Sequence, residues 1–78
     1  MSRREKINEV LRTVSKAGGA AEEDESLFDS GHLDSFVLVD LVSGLEQAFG
    51  VKVPERDATP RKFDTIAKID AYLQTLGA

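Results

Sequence analysis

Apolar residues recur along this chain at helical spacing, with polar stretches between the stripes. Ile7, Val10, Leu11 and Val14 fall at i, i+3, i+4 and i+7, which predicts a helix from Arg3 to Ser15 stopped by Gly18-Gly19. Leu38, Leu41, Val42, Leu45 and Phe49 predict a second helix from Ser35 to Phe49, with Asp34 as N-cap and Gly50 as a left-handed stop. Ile66, Ala67, Ile69 and Leu73, with Tyr72 or Leu76, mark a last helix that Asp64 would cap and Gly77 would end. Thr59-Pro60 pairs a capping residue with proline at a first helical position, so a short turn from Pro60 to Phe63 is expected. Val51 to Val53 is too short and isolated for a sheet, and Pro54 closes it. The pattern is that of an all-α protein. It predicts a small four-helix bundle, three main helices plus one short one, with a long loop between helices one and two.

That loop is long for a compact domain, and such loops are usually functional or mobile. Leu27 and Phe28 are its large apolar residues before Leu33, and they are the expected anchors to the core. Helix two carries one apolar stripe too many. Phe36 and Val39 lie off its core face, aligned with Ser43 at i, i+3 and i+7 and with Asp40 among them. Full burial on every side is not available in so small a domain. The face of Phe36, Val39, Asp40 and Ser43 is therefore expected to be exposed and to dock a partner. Gly44 in mid-helix costs about 1 kcal/mol relative to alanine, which points to a close backbone approach.

The chain has 78 residues, read here as a single domain spanning 1–78, near the size where one core is only just sufficient. It has no cysteine and a single histidine, so thiolate sites, disulfides and multi-histidine metal clusters are excluded. A net charge of −4 argues against nucleic acid as a partner. No run approaches the roughly 18 apolar residues of a membrane span. Met1-Ser2-Arg3-Arg4 has no apolar stretch behind it of the kind a secretory signal needs, and a cytoplasmic monomer is expected. The Glu22-Glu23-Asp24-Glu25 run reads as a solvated loop and His32 as an exposed loop residue. Arg3, Arg4 and Lys6 read as helix-surface partners of Glu5 and Glu9.

Catalysis needs a nucleophile with a base, a carboxylate pair or a metal. Ser35 is three residues from His32, but a loop and the helix start that follows it do not ordinarily form a relay, and no third orienting group is evident. A domain this small also lacks room for a deep pocket. An enzyme is not indicated. Ser35 itself allows two readings at the mouth of a helix. It can cap the helix, or its hydroxyl can carry a phosphodiester beside unpaired N–H groups and the positive end of the helix dipole. Asp34 can cap alone, and neither residue has the Glu or Gln three positions on that completes a capping box.

Leu27-Phe28-Asp29, Leu33-Asp34-Ser35-Phe36, Leu45-Glu46-Gln47-Ala48-Phe49-Gly50-Val51, Val53-Pro54 and Phe63-Asp64-Thr65-Ile66 stand in one order and spacing over most of the chain. In these elements the sequence resembles the acyl carrier proteins of the phosphopantetheine-attachment class. The resemblance implies a non-catalytic carrier with 4'-phosphopantetheine, drawn from coenzyme A, on Ser35, and Asp34 as its motif partner. It also implies a phosphopantetheinyl transferase that attaches the arm, a ligase that activates an acyl or aminoacyl cargo, and a downstream transferase or synthase. The cargo would ride as a thioester, in lipid or secondary-metabolite biosynthesis.

The sequence departs from housekeeping fatty-acid carriers, which resemble Leu-Gly-x-Asp-Ser where this chain has Gly31-His32-Leu33-Asp34-Ser35. Between Ser35 and Phe49 only Asp40 and Glu46 are acidic, with Val37 and Gln47 where such carriers have acids. Fewer charges mean weaker long-range steering and a more apolar contact. The Gly31-His32-Leu33-Asp34-Ser35 pattern and the Phe63-Asp64-Thr65 segment are more similar to stand-alone carriers served by adenylating ligases, of the D-alanyl or aminoacyl type. Phe28, Phe49, Phe63 and Tyr72 fill so small a bundle, which favours a short or polar cargo over a long acyl chain. The runner-up is an unmodified module of the same fold, acting as a non-covalent subunit of a complex with no use for the Ser35 hydroxyl.

Overall fold

The computed structural model describes residues 2–15 and 21–78. Its helices are α1 (Arg3–Val14), α2 (Ser35–Phe49) and α3 (Ile66–Thr75), with a single 3-10 turn at Glu55–Asp57 before α3. There is no strand among the described residues. The all-α prediction holds, and the three main helices lie where the periodicity puts them. The fourth does not. Pro60–Phe63 is a pair of hydrogen-bonded turns, Lys62 N–H to the Thr59 carbonyl and Phe63 N–H to the Pro60 carbonyl, and the short helical turn follows Pro54 instead.

α1 packs against both α2 and α3, whose own backbones stay apart. The gap is closed by side chains from the connecting segments: Leu27 and Leu33 from the loop before α2, Val53 and Phe63 from the segment before α3. All four are buried, so much of the core comes from outside the helices. Phe28, expected as a second anchor, is half-buried against the core. α2 buries Val37, Leu38, Leu41, Val42 and Leu45, while Phe49 is half-buried beneath the Lys6 ammonium, 5.1 Å from its ring centre. The close approach at Gly44 is to α1: a Cβ there would lie 2.7 Å from Val10 Cγ1.

Helix ends repeat the sequence logic with two shifts. Ser2 caps α1, its hydroxyl accepting from Glu5 N–H, and the helix ends at Val14 with Ser15 already extended at ψ 139°. Gly18-Gly19 lies outside the described residues. α2 starts on Asp34 and ends on Gly50, whose φ of 64° is the left-handed conformation that favours glycine. α3 is capped by Thr65, its Oγ1 accepting from Lys68 N–H at 3.1 Å, and not by Asp64. Asp64 is engaged elsewhere: its carboxylate accepts from Ser26 Oγ at 2.7 Å and its carbonyl from Leu27 N–H.

Those bonds tie the long loop down. Ala67 N–H donates to the Glu23 carbonyl and Leu33 N–H to the Leu27 carbonyl, so residues 21–34 are fastened to the start of α3 and to themselves. Arg3 and Arg4 also act between elements. Both pair with Asp70 of α3, Arg4 pairs with Glu23, and Arg3 Nη1 donates to the Ala78 carbonyl. Their partners are therefore not the expected Glu5 and Glu9 but acids that the fold brings from α3 and the loop. The Arg3 hydrogen bond, and after it Arg4, holds the Asp70 carboxyl below its usual range. Tyr72 donates its hydroxyl to Asp57, which Lys62 also grips at 2.8 Å, locking the 3-10 turn to α3. Burial and the Asp57 carboxylate push Tyr72 up to about 12.

Candidate functional site

The N-terminus of α2 is built by Asp34. Its Oδ1 accepts from the backbone N–H of Phe36 at 2.9 Å and of Val37 at 2.8 Å, while its carbonyl accepts from Leu38 N–H. One carboxylate oxygen thus satisfies two of the orphan donors and sets its negative charge at the positive end of the helix. Ser35 is the first helical residue and is exposed. Its hydroxyl makes no hydrogen bond with any described residue. Capping is done by its neighbour.

Gly31, at φ 88°, turns the chain into this segment, and Leu33 plugs it into the core. His32 points inward and not to solvent as expected: it is only 5% exposed. Its Nδ1 lies 2.8 Å from Ser15 Oγ and its Nε2 3.5 Å from Glu25 Oε2. The imidazole therefore joins the end of α1 to the loop and is turned away from any relay with Ser35. Glu25 is correspondingly more than a solvated acid. The Glu22 N–H first, then Ser30 and the His32 ring, lower its carboxyl from the usual value.

Phe36 and Val39 are the exposed large hydrophobic residues among those described, at 82% and 67%. Asp40 and Ser43 are exposed on the same side of α2. The expected face exists as a surface. Val37, in contrast, is buried, so its place in the sequence is a packing position. Two open recesses lie on the surface of the described residues. One, of about 310 Å³, lies between α2 and the 3-10 turn and is lined by Val39, Val42, Ser43, Glu46, Val53, Glu55 and Ala58. The other, of about 330 Å³, is bounded by Ser26, Phe28 and Asp29 of the loop, by Pro60, Arg61 and Asp64, and by Lys68 of α3. Neither was legible in the sequence, because each needs segments far apart in the chain. No group of three or more metal-ligating side chains occurs among the described residues, and none of their helices is long and apolar enough to cross a membrane.

The family model for the phosphopantetheine attachment site matches residues 4–73. The chain belongs to that family. It is similar to the D-alanyl carrier protein of Leuconostoc citreum (strain KM20), 29% identical over 76 residues that cover 97% of both chains. It is also similar to the D-alanyl carrier protein of Streptococcus pyogenes serotype M1, 44% identical over 46 residues, 59% of this chain and 58% of that one. Among solved structures it superimposes on a chain of the Bradyrhizobium japonicum glycine:[carrier protein] ligase complexed with its cognate carrier protein and an analogue of glycyl adenylate. The TM-score is 0.77 at 27% identity, covering 94% of this chain and 96% of that chain. The protein is thus a carrier and not a catalyst, with 4'-phosphopantetheine as its covalent prosthetic group. An exposed, unpartnered hydroxyl at the positive end of α2 fits such a phosphodiester.

Proposed function

We propose that this single-domain protein carries a short aminoacyl cargo on an arm attached to Ser35. The observation that carries the reading is the free Ser35 hydroxyl at a helix start that Asp34 already caps. When bound, the arm supplies the terminal thiol that a chain without cysteine lacks, and the cargo rides on it as a thioester. Asp34 fixes the first turn and so the direction of the hydroxyl, and its charge favours recognition by the transferase that installs the arm. The relatives named D-alanyl carrier protein, and the neighbour solved with a glycine ligase, support an aminoacyl cargo activated by a separate ligase. Phe36, Val39, Asp40 and Ser43 are its docking face, more apolar than charged. Phe63 is fully buried in the core, which supports a small cargo over a long chain. The protein works as a cytoplasmic monomer.

Incubation with coenzyme A, magnesium and a broad-specificity phosphopantetheinyl transferase tests the site. Intact mass should show one added arm on the wild type and none on Ser35→Ala. A folded wild type that stays unmodified would favour the unmodified interaction module, and a modified alanine variant would move the site elsewhere.

A further inference from the structure

Resting on the Ser35 reading above, we infer that His32 is a positioning residue for installation of the arm. It aims the Ser35 hydroxyl by anchoring the segment that leads into α2. Gly31, at φ 88°, is a permissive joint in the chain, and His32, Leu33 and Asp34 stand between it and Ser35. Asp34 is fastened forward, its carboxylate holding the Phe36 and Val37 N–H groups of α2. Leu33 is fastened backward, buried in the core with its N–H donating to the Leu27 carbonyl at 2.9 Å. His32, also buried, reaches two other regions. Its Nδ1 lies 2.8 Å from Ser15 Oγ at the end of α1, and its Nε2 lies 3.5 Å from Glu25 Oε2 in the loop. Glu25 is held in turn, its Oε1 accepting from Glu22 N–H at 3.2 Å.

Two neighbouring anchors that pull toward different segments fix a direction and not only a position. A buried apolar side chain at this place would fill the same space, but apolar packing is non-directional. Both imidazole nitrogens are aimed at polar partners, and hydrogen bonds weaken steeply when misaligned. Direction matters to the reaction. As the arm is transferred from coenzyme A, the Ser35 oxygen bonds to the phosphorus that bears pantetheine. The bond from that phosphorus to the departing adenosine bisphosphate breaks, and the hydroxyl proton passes to a base of the transferase. Entering and leaving oxygens stand roughly in line in such a step. A misplacement of about 1 Å costs on the order of a hundredfold in rate. His32 meets none of the reacting atoms and acts through Leu33 and Asp34.

The test follows arm transfer from coenzyme A by a phosphopantetheinyl transferase, with the concentration of the whole carrier protein varied. His32→Ala should lower kcat at least roughly tenfold and leave KM within about twofold, because a misaimed hydroxyl still sits beside the same docking face. His32→Asn puts a polar atom where Nδ1 was, keeps the bond to Ser15 and should restore most of kcat. Ser15→Ala should match His32→Ala, and the double variant should be no slower than either, the mark of one shared interaction. If circular dichroism shows that His32→Ala does not fold, Ser15→Ala and His32→Asn decide by the same comparison. A merely structural role gives a different pattern. Loss of folded carrier raises the apparent KM and leaves kcat alone. That pattern, or a wild-type kcat in Ser15→Ala, would overturn the positioning role and leave the attachment site standing. A folded wild type that takes no arm, or takes it on a residue other than Ser35, removes the attachment reading itself.

Discussion

Two apolar stripes run along α2, and they have opposite fates. Leu38, Leu41 and Leu45 are sealed against α1 and the connecting segments, while Phe36 and Val39 stand in water at 82% and 67% exposure. The side chains are of one chemical kind and belong to one helix, so propensity does not separate them. What separates them is the availability of neighbours. α1, Leu27, Leu33, Val53 and Phe63 crowd one side of α2, and no described residue buries Phe36 or Val39 on the other. The inner stripe holds the fold together. The outer stripe contributes little to folding, and under the proposed function it is the face that meets another protein.

Substitutions that treat the stripes alike should expose the difference. Leu41→Ala removes a fully buried side chain and should cost about 2 to 5 kcal/mol by the usual cavity penalty. In a domain of this size that lowers the melting temperature by at least roughly 8 °C, which thermal denaturation followed by circular dichroism will register. Phe36→Ala should do the reverse. Its melting temperature should stay within about 4 °C of wild type, because exposed substitutions seldom exceed about 0.5 kcal/mol. Loading by the cognate ligase should slow at least roughly tenfold, corresponding to about 1.4 kcal/mol at an aromatic interface anchor. Severe destabilisation with normal loading would erase the distinction between the stripes.

The cap at the head of both stripes gives a smaller effect. Asp34→Ala leaves the Phe36 and Val37 N–H groups without their acceptor and should cost about 1 kcal/mol, read as a melting shift of the unmodified protein. The smallest effect belongs to Gly44, on the side of α2 that meets α1. Alanine there gains about 1 kcal/mol of helix propensity but sets a Cβ 2.7 Å from Val10 Cγ1, a stiff β-branched side chain. Gly44→Ala should therefore fail to stabilise the wild type, yet stabilise a Val10→Ala variant by up to about 1 kcal/mol. A gain in both backgrounds would show that α1 yields freely.

Local patterns in the sequence were enough to find α2 from Asp34 to Gly50, because the cap, the stripe and the stop all act within a turn or two. The exposed face was legible for the same reason, as a count of apolar positions beyond what one helix face can bury. His32 was misread because its partners, Ser15 and Glu25, are brought to it by the fold. Asp64 was assigned a cap that Thr65 makes, since both are good capping residues and only Ser26 and Leu27, arriving from the loop, decide between them. Arg3 and Arg4 had acids within helical reach and still found Asp70 and Glu23 across the bundle.

Periodicity, capping and glycine stops, all short-range effects of backbone geometry, determined the three helices, the Asp34 cap at the head of α2 and its spare apolar stripe. The tertiary structure alone decided that loop side chains fill the space between α2 and α3, that His32 is buried, and that one recess holds Glu46 and Glu55 among apolar walls while the other sets Asp29 and Asp64 beside Arg61 and Lys68. Each of these depends on segments distant in the chain meeting in space. Burial and charge environment are properties of that meeting, and a linear pattern does not contain them.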